Sequence, residues 1–87
     1  MKYNQCQKDI IYYIIEYYEN TEGKLTPCID VFEQIFKEKY SNLEIEENTR
    51  ELVSRGILEP YSFHSYLGFT ETFITTNDYT LFKDKKI

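Results

Sequence analysis

Apolar residues recur at helical spacing near the start of the chain. Cys6, Ile10, Ile11, Ile14, Ile15, Tyr17 and Tyr18 fall on one face, while Gln5, Lys8, Asp9, Tyr12, Glu16 and Glu19 take the other. Asn4 and Gln7 stand at capping-box spacing just ahead of this pattern, which predicts a first helix over about residues 5–20, closed near Gly23. A second stripe, Cys28, Val31, Phe32, Ile35, Phe36 and Tyr40, follows Thr26 as a cap and Pro27 at the first helical position. It predicts a helix over about 27–39, with Asp30, Glu33, Gln34, Lys37 and Glu38 facing water. Ser41 and Glu44 form another capping pair. Ile45, Thr49, Leu52 and Val53 then give the inner face of a third helix, over about 43–55, with Gly56 as its left-handed terminator and Ile57 as the hydrophobic closure. Ile14, Phe32, Ile35 and Leu52 are expected to hold the three helices together.

Beyond Gly56 the period changes to two. Ile57-Leu58-Glu59 reads as a strand that Pro60 ends or confines to a sheet edge. Tyr61–Leu67 and Phe69–Thr76 are rich in β-formers around Gly68, and Tyr79–Phe82 follows an Asn77-Asp78 turn, so a β-hairpin is expected over about 57–82. The expected architecture is α+β, one domain over 1–87. At 87 residues there is no room for a second core.

Charge and composition narrow the function. Fifteen acidic residues against ten Lys and Arg leave a formal charge of −5, which excludes a polybasic arm as the main device. No apolar run approaches the ~20 residues of a membrane span. The start of the chain runs straight into helix-like sequence without a signal-peptide core, so a cytoplasmic protein is expected. Cys6 and Cys28 fall on apolar faces and read as free buried thiols. Neither they nor His64 offers a close ligand pair for a metal, and His64 has no nucleophile or carboxylate beside it. No cofactor, metal site or enzymatic activity is expected.

Three helices with a tight turn between the second and third, then a hairpin, resemble the winged helix-turn-helix. Leu52-Val53-Ser54-Arg55-Gly56-Ile57-Leu58-Glu59 looks like that superfamily's junction between recognition helix and wing, and Tyr79-Thr80-Leu81 is similar to its returning strand. The resemblance implies a C-terminal β-hairpin wing and a small double-stranded-DNA-binding protein, a transcriptional regulator or a plasmid- or phage-type factor, acting as a homodimer. It would place Asn48 and Arg50 at base edges, Ser54 on the DNA-facing side, and Arg55, Lys37, Lys39 and the tail lysines Lys83, Lys85 and Lys86 on phosphates.

The charge map pulls the other way. Between Ser41 and Ser62 stand Glu44, Glu46, Glu47, Glu51 and Glu59 against Arg50 and Arg55, and Phe63–Asp78 contains no Lys or Arg. Phosphate contact supplies the bulk of DNA affinity, and few cations are present to make it. The acids near the start of the third helix also suit a helix N-terminus. The alternative is a winged-helix protein-interaction module, or an acidic nucleic-acid mimic, that uses the third helix and the wing against a basic partner. Tyr12, Tyr13 and Tyr17 crowd the first helix. They either fill a small core or form a homodimer contact.

Overall fold

The computed structural model describes residues 3–22, 27, 31–62 and 70–74. Helix α1 spans Gln5–Asn20 and begins with the full capping box: Asn4 Oδ1 accepts from Gln7 N at 2.8 Å, and Gln7 Oε1 accepts from Asn4 N at 3.1 Å. The Ile10, Ile11, Ile14 and Ile15 stripe is fully buried, contributing roughly 1.5–3 kcal/mol per side chain. The helix closes before Gly23, which lies outside the described residues. Thr21 caps it, its hydroxyl donating to the carbonyls of Tyr17 and Tyr18, and Glu22 takes the left-handed conformation at φ 57°.

The second helix departs from expectation. Helix α2 spans only Val31–Ile35, and residues 36–40 form bends and turns where the periodicity predicts helix to about Lys39. The expected start lies outside the described residues apart from Pro27, which is buried and not helical. Tertiary contacts explain the early end. The Phe36 ring packs edge-on against Tyr13 at 5.9 Å and against Tyr40 at 6.4 Å, while Lys39 and Tyr40 both reach Asp9 on α1. Phe32 is fully buried, but Ile35 is 45% exposed, so it is not a member of the core.

Helix α3 spans Asn42–Ser54, with Ser41 as N-cap and Glu44 completing the box. Its end is a Schellman closure: Gly56 N donates to Val53 O and Ile57 N to Leu52 O, both at 3.0 Å, with Gly56 at φ 76°. Leu52 and Ile57 are both buried there.

The chain then enters strand β1, Leu58–Ser62, which pairs antiparallel with β2, Thr70–Ile74. Leu58 stands opposite Ile74, and Ser62 opposite Thr70. Pro60 lies inside β1 opposite Thr72, and among the described residues β1 pairs with β2 alone, so it is an edge strand, where proline is tolerated. The expected hairpin turn near Gly68, the strand at Tyr79–Phe82, His64 and the tail lysines lie outside the described residues. The core joins Cys6, the four isoleucines of α1, Phe32, Ile45, Leu52, Ile57 and Leu58. The fold is therefore mostly helical with a short strand pair, and its Cα radius of gyration of 12.4 Å is near the ~12 Å of a compact chain this long.

Candidate interaction face on helix α3

Burial of Ile45, Thr49 and Leu52 turns the opposite side of α3 outward. Leu43, Glu46, Glu47 and Arg50 lie three and four residues apart and so share that outer face. Leu43 is 63% exposed in the first turn of the helix. Arg50 Nη2 lies 2.8 Å from Glu46 Oε1, and Arg55 pairs with Glu51, both across one helical turn. Over residues 42–55 four carboxylates face two guanidinium groups, for a net charge of −2.

Among the described residues expected to contact DNA, Asn48, Arg50, Ser54, Arg55 and Lys39 are engaged within the chain. The Asn48 side chain accepts from Asn4 Nδ2 and donates to Glu44 O, each at 2.8 Å, so both ends of its amide bind α1 or its own helix. The Ser54 hydroxyl donates to Glu51 O at 2.8 Å. Arg55 also lies over the Tyr3 ring at 5.9 Å. Lys39 reaches Asp9 at 2.8 Å and sits over the Tyr40 ring. Lys37 is exposed on the turn after α2.

Between α1 and α3 runs a polar seam that periodicity alone does not show. Gln7, 2% exposed, donates from Nε2 to Glu51 Oε2 at 3.1 Å, beside the Asn4–Asn48 pair. Asp9, expected on the solvent face, is instead half-buried. Burial alone would raise its pKa. Hydrogen bonds from Lys39, Tyr40 and Gln5, with the Lys39 charge, reverse that and hold the carboxyl below its ordinary 3.8. Burial, then the hydrogen bond to Asp9, pushes the Tyr40 phenol well above its usual range. Cys6 is a buried free thiol raised first by burial, then by Glu44 and Asp9.

The tyrosines of α1 divide. Tyr13 packs edge-on against Phe32 at 6.1 Å and against Phe36, and Tyr17 tilts against Tyr13 at 6.2 Å. Tyr12, expected on the water face, is half-buried against the core. Much of the aromatic surface that suggests a dimer is thus in contact with the chain's own core. Among the described residues, no group of three or more His, Cys, Asp or Glu is placed to hold a metal ion, and no helix is long and apolar enough to cross a membrane.

Compared with protein-family models, curated proteins and solved structures, the chain finds no match.

Proposed function

We propose that the chain is a winged-helix protein-interaction module whose helix α3 presents an acidic face, centred on Leu43, Glu46 and Glu47, to a basic surface on a protein partner. The element order supports the winged-helix assignment: α2 and α3 joined by a tight turn, then a Schellman exit from α3 directly into an antiparallel hairpin. One observation carries the functional reading. On the outer face that a DNA-binding winged helix would lay in the major groove, Glu46 and Glu47 outnumber Arg50, and Arg50 is itself paired to Glu46; at the end of the helix Arg55 is paired to Glu51. The pairs themselves are weak, about 0.3–0.5 kcal/mol each, and a phosphate could displace either one. The net charge is what decides. Freeing Arg50 for a phosphate leaves Glu46 and Glu47 facing the same backbone, within a Debye length of about 8 Å at physiological salt. The same negative field attracts lysines and arginines, and Leu43 supplies an apolar anchor among the charges.

DNA binding through Asn48, Arg50, Ser54 and Arg55 is the competing proposal. It requires Asn48 to leave its bond to Asn4, which ties α3 to the cap of α1, and its bond to Glu44 O within its own helix. A homodimer belongs to the proposal only as far as the half-exposed rings of Tyr12 and Tyr17 carry it; sedimentation equilibrium giving a single 10.5 kDa species removes it. The test of the main reading uses a short cationic amphipathic peptide of lysine and leucine as probe. Binding that weakens in Glu46→Gln/Glu47→Gln and in Leu43→Ser supports it. Binding indifferent to all three substitutions contradicts it.

A further inference from the structure

Two residues ahead of α3 are tied by their side chains to one carboxylate on α1. Asp9 Oδ2 accepts from Lys39 Nζ at 2.8 Å and from Tyr40 Oη at 2.6 Å, and its Oδ1 accepts from Gln5 Nε2 at 2.9 Å. Tyr40 directly precedes Ser41, the residue that caps α3 and fixes its first turn. The carboxylate side chain is only 16% exposed, so these charge-assisted bonds are partly shielded from water. Lys39 and Tyr40 lie 30 and 31 residues from Asp9 in sequence. The contacts therefore support no local turn. They bear on where one element sits against another.

We infer that Asp9 is the positioning residue for α3: through Lys39 and Tyr40 it sets the angle at which the outer face of that helix is presented, while lying on a different helix from that face. The Asn4–Asn48 pair is a second tie, nearly two turns into α3. With the Gln7–Glu51 bond nearer its C-terminal end, ties at several points restrict the rotation of α3 as well as its distance; the Asp9 tie is the one at its N-terminal end, and releasing it leaves that end free to swing about the other two. The consequence for binding rests on the reading of α3 proposed above, whereas the positioning itself does not.

The experiment measures residual dipolar couplings of the isotope-labelled chain, which report the orientation of α3 against α1, for wild type, Asp9→Asn and Tyr40→Phe. The same samples are then titrated with the lysine–leucine peptide. Tyr40→Phe removes one hydroxyl and keeps the ring, so it serves if Asp9→Asn folds poorly. Both variants are expected to turn α3 relative to α1 while each helix still fits a single helical geometry, and to weaken peptide binding several-fold. An unchanged orientation in both variants, with a lowered Tm, overturns the inference, since Asp9 would then only add stability. A changed orientation with no peptide binding by the wild-type chain upholds the positioning role and removes the proposed reading of the α3 face.

Discussion

Leu52, fully buried where α1, α3 and β1 meet, is the side chain whose loss should matter most on α3. Leu52→Ala is expected to lower stability by ~2–5 kcal/mol, a large share of what a chain this small possesses. Equilibrium denaturation measures it. The neighbouring Thr49 should behave in the opposite sense. Its hydroxyl is buried and has no hydrogen-bond partner among the described residues. Thr49→Val keeps the branched shape and removes the unsatisfied group, so a gain of about 1–2 kcal/mol is expected in the same experiment. A loss would show that the hydroxyl has a partner after all. Asp9 gives a pH dependence with a definite sign. Its folded pKa is depressed below 3.8, so its contribution is fully present above that value and disappears as pH falls through the folded pKa. Acid titration followed by circular dichroism should therefore show Asp9→Asn less stable than wild type at neutral pH, the difference closing below pH 3.8.

Among the elements, α2 separates what the sequence makes legible from what it does not. Helices α1 and α3 could be read closely because their ends carry local chemistry: capping boxes at Asn4/Gln7 and Ser41/Glu44, and the left-handed Gly56. These signals act within three or four residues, so no tertiary information is needed. For α2 the spacing of Val31, Phe32, Ile35, Phe36 and Tyr40 is compatible with a helix twice as long. What ends it is the pull of Asp9 and Tyr13, residues on another helix and far off in sequence, which periodicity cannot see. The same reason hid the seam at Gln7, Asn48 and Glu51, and it placed Asp9 and Tyr12 on the wrong face. The acidic outer face of α3 is readable from composition, and the Glu46–Arg50 and Glu51–Arg55 pairs stand at the i,i+4 spacing that the sequence shows. The structure of α2 predicts a contrast. Phe32→Ala should cost about 3–5 kcal/mol. Ile35→Ser should change stability by no more than about 0.5 kcal/mol, as expected for a surface site. Equal costs at the two positions would return Ile35 to the core.

For the whole molecule the question is which partner the field of α3 selects. On the reading proposed above, a formal charge of −5, with α3 itself negative, disfavours a polyanion and steers cationic surfaces toward Leu43, Glu46 and Glu47. Exposed ion pairs are worth about 0.2–1 kcal/mol each, so Glu46→Gln/Glu47→Gln should weaken binding of the cationic peptide by roughly 0.5–2 kcal/mol, with salt producing a similar loss. The most direct measurement is amide shift mapping of the isotope-labelled chain at low salt, titrated in parallel with that peptide and with a mixed-sequence DNA duplex. The account predicts that the peptide shifts a contiguous set at Leu43, Glu46, Glu47 and Arg50 while the duplex leaves them in place. Salt-dependent shifts at Asn48, Arg50, Ser54 and Arg55 on adding the duplex, with no contiguous response to the peptide, would contradict it.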